Sequence, residues 1–353
     1  MNFVDCEAFL ENGTIMSLEN GQLLIGFGPR RWVASPENAS PAFYFPDFFL
    51  KNSSPWFHHE FYQEQTTDAI VEGLTKEQSF CSAKHQWANL DQPHFISGFE
   101  QLQELFQAKK LEKAVPFAFE FAPCRMNRET LRKSLLHLLE YARNQPIYVY
   151  GFWDQHSGIL GATPEVLFKV DSKEKKVLHT HACAGTRSCQ NKISLLEDPK
   201  ELHEHRLVVQ GMSESLASFG KLHIGDLKIL QLPFLSHLIT PIEVELHATY
   251  DFEKIVKALH PTPALGGFPK QASWDWLQAY QSSFDRGRFG APAGYLYGQA
   301  CTAACFVSIR NMQWDEEKML IGAGCGIVAE SRLADEWEEI NLKMQSIKRM
   351  LDL

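Results

Sequence analysis

Four glutamates arranged as two pairs are the residues best placed to do chemistry. Glu201 and Glu204 stand three apart in DPKELHEH, and Glu336 and Glu339 repeat that spacing in DEWEEINLK. Three residues is close to one helical turn, so each pair shares a helix face. Either pair alone would read as a solvated face. Two such faces brought together offer hard oxygen donors to Mg²⁺, which keeps some of its water and takes one or two carboxylates directly. Just before the second pair, Gly322-Ala323-Gly324-Cys325-Gly326 sets three glycines within five residues. Such a loop lets the backbone approach a ligand and leaves N–H groups free for an anion. Lys343 follows one turn after Glu339. His203 and His205 flank Glu204, but HEH lacks the i, i+4 spacing of a helical zinc pair, so they read as packing residues.

Composition bounds what such a site would serve. The 353 residues are 44% hydrophobic and 22% charged, with a formal net charge of −9. That is a globular chain able to bury a large core. With no basic block it offers no nucleic-acid surface. An anionic substrate would need local positive charge, from a metal or a few Lys and Arg. The eight cysteines include no CxxC, which argues against zinc, and no apolar run has signal-peptide or membrane-span length. A cytoplasmic protein with reduced thiols, without nucleic-acid or membrane partners, is expected.

The elements that must position these residues follow in order. Residues 1–90, rich in aromatics and turn-formers, read as short strands and loops forming a structural layer. Helical periodicity covers 95–110, a strand covers 113–121 with Pro116 forcing an edge or bulge, and a helix begins at Asn127. IYVYGFW, ILGATPEVLFKV and VLHTHACAGTR read as antiparallel strands, with a charged turn at 171–176. A long helix from Asp198 to Phe219 carries the first glutamate pair. KILQLPFLSHLITPIEVEL is extended, FEKIVKALH and SWDWLQAYQ are helical, and the strand ACFVSIRNM precedes the glycine loop. Strands come in runs with helices between them, so the fold class is α+β with large antiparallel sheets.

GATPE (161–165), AGTR (184–187), HEH (203–205), ALHPTPALGG (258–267), FDRGRFGAPAG (284–294), FVSIR (306–310), GAGCGIV (322–328) and EWEEINLK (336–343) occur in this order. The order resembles that of the chorismate-utilising enzymes: isochorismate synthases, salicylate synthases, anthranilate synthase large subunits and aminodeoxychorismate synthases. The resemblance covers roughly Lys113 to the C-terminus. It implies one domain over 1–353, with two antiparallel sheets facing across a cleft and flanked by helices. Residues 95–353 would be the catalytic core and 1–90 a loosely matching layer.

By the same resemblance, Glu204 and Glu339 would lie nearest a Mg²⁺ ion, and Glu201 and Glu336 would reach it through water. Arg310 would grip the enolpyruvyl carboxylate of chorismate, a planar anion that suits a guanidinium. Lys343 and the backbone of Gly185, Gly324 and Gly326 would complete the anion pocket. Glu165 looks like the general acid for the departing C4 oxygen. Lys113 matches the general base that activates water at C2, although Pro116-Phe117-Ala118 departs from the usual pattern beside it. His260 matches a histidine near the reacting ring, and His237 is similar. Cys325 stands where Ala is usual. Anthranilate synthases usually carry Gln at the place of Lys113, and aminodeoxychorismate synthases a Lys where this chain has Ala184. Both comparisons favour water as nucleophile, hence an isochorismate synthase feeding menaquinone or siderophore biosynthesis. A monomer without a glutamine amidotransferase subunit is expected. Salicylate synthase and a non-catalytic chorismate-binding paralogue are the alternatives.

Overall fold

The structure, a computed structural model, describes residues 5–37, 41–75, 85–89, 92–171, 177–188, 195–281, 285–298 and 302–353. Cys81, Cys189, Cys301, Phe284 of the FDRGRFGAPAG stretch and all but the first residue of the expected turn at 171–176 lie outside the described residues.

Among the described residues all strand pairs are antiparallel, and seventeen strands hydrogen-bond into one continuous ribbon. One half of the ribbon runs through Phe117–Ala122, Met319–Gly324, Asn311–Trp314, Gly158–Thr163 and Tyr148–Trp153. The other runs through Pro292–Tyr297, Thr302–Val307, Val166–Asp171, Val177–Ser188 and Leu235–Leu246. The expected α+β class with large antiparallel sheets is observed. The N-terminal strands join its two sheets edge to edge into the one ribbon. Gly13–Ser17 pairs with Tyr148–Trp153 of the first half, and Ala42–Tyr44 pairs with Pro292–Tyr297 of the second. Gln22–Val33 and Trp56–Thr66 close the path between them. The N-terminal segment is thus hydrogen-bonded into both halves of the ribbon.

Three cores follow from this winding. Met16, Phe43, Phe57, Phe152 and Phe306 fill the space between the two halves. Helices Gln92–Gln107, Arg128–Ala142 and Leu333–Leu351 pack their buried faces on the first half. Helices Pro199–Leu216 and Phe252–Leu259 pack on the second. Each helix contributes apolar residues at three- and four-residue spacing, so one stripe is buried.

The chain crosses between the halves at two points that matter for the site. Thr163 ends a strand of the first half and Val166 begins one of the second, leaving Pro164-Glu165 as the crossover. Val307 ends a strand of the second half and Asn311 begins one of the first, leaving Ser308-Ile309-Arg310 to cross back. The crossovers are tied together: Val307 N donates to Glu165 O at 3.0 Å, and Ala162 N donates to Arg310 O at 3.3 Å. Arg310 adopts a φ of 55°, a left-handed conformation that costs a non-glycine residue roughly 1–3 kcal/mol.

The strand expected over 113–121 is broken at Pro116. Lys113–Ala114 pairs with Gly267–Phe268, and Phe117–Ala122 joins the ribbon. Proline has no N–H for a ladder, but its carbonyl remains, and Pro116 O accepts from Cys325 N at 3.3 Å.

Candidate active site

Two helices bring the glutamate pairs together. Asp198 caps the helix Pro199–Leu216 by accepting from Lys200 N and Glu201 N, with Pro199 in the first turn. This buries Glu201 and Glu204 on one face. The C-terminal helix Leu333–Leu351 supplies Glu336 and Glu339 with Lys343 and Ser346. Between the pairs lies the ammonium of Lys200. Its Nζ stands 2.9 Å from Glu336 Oε1, 3.1 Å from Glu201 Oε1 and 3.7 Å from Glu204 Oε2. Lys343 Nζ lies 2.6 Å from Glu339 Oε1 and donates to Gly324 O at 2.7 Å.

Lys113 is fully buried, and its Nζ is 3.0 Å from Glu204 Oε1. This is an ion-pair contact without hydrogen-bond alignment, since Nζ lacks a directed acceptor. The glycine loop makes room for the pair. A Cβ on Gly326 would stand 2.0 Å from Glu204 Oε1 and 2.7 Å from Lys113 Cε. Gly185, at φ +77°, forms a bulge that turns Thr186 N toward Glu201 Oε2, at 2.9 Å.

Charge and burial divide the four carboxylates. Burial, then the neighbouring Glu204 carboxylate, pushes Glu201 up to about 7 against the pull of Lys200. Glu336 is raised too, chiefly by burial. Burial also opposes ionisation of Glu204, yet Lys113 and Lys200 outweigh it and hold that carboxyl below its ordinary value. Burial alone would lower Lys200, and Glu204, Glu336 and Glu201 raise it instead.

A cavity opens beside this cluster, at the junction of the two ribbon halves. Glu204, Glu339, Lys343, Arg310 and His237 line its polar side, with Gly185, Gly324 and Gly326. Phe117, Leu265 and Phe289 line its apolar side, and Glu165 lies on its wall. Thr262 Oγ1 donates to Glu165 Oε1 at 3.3 Å. Burial pushes the Glu165 carboxyl up to about 7, and Thr262, Lys113 and Lys343 only partly offset it. Arg310 is aimed by two neighbours: Nη1 donates to Ser346 Oγ at 2.8 Å, and Nη2 lies 3.5 Å from His237 Nε2. Burial, then Arg310 and Lys343, hold His237 well below its usual value. A neutral ring fits its contacts, with Nδ1 3.1 Å from Thr186 Oγ1.

Most of the residues singled out from the sequence meet here, and five sit outside the cavity lining. Lys113 lies behind Glu204 and Gly326, off the cavity wall. His260 is outside the cavity lining, because its Nε2 is engaged at 2.7 Å by Phe48 O and its ring stacks edge-on against Phe48. Cys325 points into the core and not into the site. Glu201 and Glu336 face a second, outer crevice that they share with Lys200, while Glu339 borders both spaces. Sequence reading missed Lys200, Thr262, Thr186 and Ser346. Lys200 had a signal, since it precedes Glu204 by four residues, one helical turn.

The donor set suits a hard divalent cation. All four candidates are carboxylates, Glu336 Oε2 is buried without a partner, and a cation already sits among three of them. Among the described residues, no three His, Cys, Asp or Glu side chains converge closely enough to ligate an ion together. The donors thus match a hard cation in chemistry without converging on one point.

A family model of chorismate binding enzymes matches residues 53–352. The salicylate biosynthesis isochorismate synthase of Pseudomonas aeruginosa is 34% identical over 202 residues, 54% of this chain and 41% of that protein. Isochorismate synthase MenF of Haemophilus influenzae is 34% identical over 212 residues, 57% of this chain and 48% of its own. The chain thus spans about half the length of these curated relatives. Among solved structures, the menaquinone-specific isochorismate synthase MenF of Escherichia coli has a TM-score of 0.77 at 19% identity, covering 98% of this chain and 90% of that one. That likeness is one of fold. No helix among the described residues is long and apolar enough to cross a membrane.

Proposed function

The chain belongs to the chorismate binding enzymes, and on that footing we propose that it is a Mg²⁺-dependent isochorismate synthase. Water would add at C2 of chorismate while the hydroxyl leaves C4. The observation that carries the reading is Glu165, a buried carboxyl pushed up to about 7 on the wall of a cavity that also carries Arg310 and Lys343. A carboxyl poised near neutrality can deliver its proton to the departing C4 oxygen and take it back in the reverse direction. Once its pair with Glu204 has opened and its own proton has passed to solvent, Lys113 as a neutral amine would accept the proton of the attacking water, so one proton is given and one taken per turnover.

Glu204 and Glu339 would hold Mg²⁺ from the cavity side, and Glu201 and Glu336 would reach it through water from the crevice side. When bound, the ion would offset the charge of the ring carboxylate and fix its position. Arg310, held by Ser346 and His237, would orient the enolpyruvyl carboxylate, with Lys343 beside it. The apolar wall of Phe117, Leu265 and Phe289 would exclude bulk water from the ring. Lys113 and Ala184 favour water over ammonia as nucleophile, so no amidotransferase partner is required.

The test is purified, chelator-treated protein with chorismate, with and without Mg²⁺, and products separated by chromatography. Isochorismate alone, formed only with Mg²⁺, is the expected result. Salicylate with pyruvate would make the protein a salicylate synthase, and no turnover would make it a binding paralogue. Full activity in metal-free buffer would remove the role given to the four glutamates.

A further inference from the structure

Lys200 has no part in the chemistry above, yet it holds the centre of the carboxylate cluster. We infer that its ammonium is a built-in stand-in for the metal: it occupies the seat in the metal-free protein and is expelled into the outer crevice when Mg²⁺ binds. The inference rests on the Mg²⁺ site proposed above.

Three observations carry it. The first is position. Nζ is within 2.9–3.7 Å of oxygens from Glu336, Glu201 and Glu204, which come from both helices, so it bridges the elements a metal would bridge. The second is spacing. Nitrogen-to-oxygen contacts of this length prop the carboxylates further apart than Mg²⁺, with oxygens at about 2.1 Å, requires. That explains why the described side chains do not close into a cage. Removing the ammonium allows the two helix faces to draw in around a smaller ion. The third is a place to go. The Lys200 side chain is 19% exposed, and the crevice beside it is lined by Glu330 and Glu338, with Asp198 and Asp335 already paired to Arg187 and Arg332. Glu330 and Glu338 can receive an ammonium that has lost its seat.

The physical reason for such a residue is charge. Without a cation, two nearly buried carboxylate pairs would repel across the interface of two helices in a poorly screened setting. Lys200 neutralises part of that charge on this chain alone, and the metal then competes with an internal ligand. Apparent Mg²⁺ affinity is reduced to the fraction of molecules whose seat is free times the intrinsic affinity.

The test uses the full chain in two ways. In the wild type, acetylation of Lys200 by a small acylating reagent is followed by peptide mass spectrometry with and without Mg²⁺. Mg²⁺ should raise the labelling of Lys200 several-fold, because the amine leaves its ion pairs. Equal or lower labelling in Mg²⁺, in protein shown by calorimetry to bind the ion, would overturn the exchange. In Lys200→Met, the metal-free protein should melt at lower temperature than the wild type. The Mg²⁺-saturated forms should melt together, and Mg²⁺ should bind about tenfold more tightly or better. A melting loss that persists equally in saturating Mg²⁺ would mark Lys200 as a fixed structural residue and refute the inference. Wild-type protein that binds no Mg²⁺ would sink the metal reading itself and the exchange with it. Mg²⁺ binding without release of Lys200 would sink the exchange alone.

Discussion

Glu165→Gln tests the proposed acid most directly. Glutamine keeps the size of the side chain and can still accept from Thr262 Oγ1, but it has no carboxylic proton to give. Burial holds Glu165 at about 7, so about half of the wild type is protonated at pH 7 and about a tenth at pH 8. Wild-type kcat/KM should fall toward tenfold per pH unit above neutrality. A positioned general acid contributes about 10²–10⁴-fold, so the variant should lose roughly 3–5 kcal/mol of transition-state stabilisation. Because one hydroxyl replaces another, the loss should be comparable from chorismate and from isochorismate. Chorismate binding should change little, since the charged contacts are elsewhere.

The same substitution has a signature in stability. The folded pKa is raised from 4.5 to about 7, so the fold binds this proton more tightly than the unfolded chain does. The penalty for burying the anion is absent below about pH 4.5, grows as pH rises, and is complete above about pH 7. Its full size is on the order of 3 kcal/mol. Glu165→Gln should therefore be more stable than the wild type in urea at pH 8, with the gap narrowing toward pH 5. A variant that slows only one direction, keeps its rate, or retains the alkaline limb near pH 7 would show that Glu165 is not the C4-side acid.

Lys113→Gln should lose hydration at C2 by a factor of about 10²–10⁴ while remaining folded; isochorismate formation at the wild-type rate would place the base elsewhere. Mg²⁺ should bind more tightly at pH 8 than at pH 6, because Glu201, at about 7, and Glu336, also raised, must release protons before they can hold the ion's waters as carboxylates. Calorimetry in buffers of different ionisation enthalpy reads that proton release directly, and pH-independent binding without it would count against both residues as holders of those waters. Gly326→Ala would drive a methyl group into Glu204 Oε1 and Lys113 Cε. It should abolish turnover and weaken Mg²⁺ binding at least tenfold, and a fully active Gly326→Ala protein would disprove the packing of the loop on that pair.

Much of the site was legible in the residues themselves. The i, i+3 glutamates, the glycine loop and Lys343 are local patterns, set by helix geometry and by the absence of side chains, and a linear sequence displays them. Helix periodicity and turn residues likewise announced the antiparallel α+β class. What the sequence alone did not contain was the long-range pairing. The N-terminal strands resembled a loose cover because their hydrogen-bond partners, Tyr148–Trp153 and Pro292–Tyr297, lie far along the chain. The strand drawn through Pro116 was two, since the proline ended one ladder and its carbonyl started a contact with Cys325. His260 was decided by the arrival of Phe48 O from a distant loop. Tertiary structure also created the electrostatics. Glu165 stands near neutrality only because the packing around it buries the carboxyl. Lys200, one charge among many in the sequence, became central when the C-terminal helix set Glu336 2.9 Å from its ammonium. Chain order shows which charges exist; only packing decides which of them are near each other and away from water.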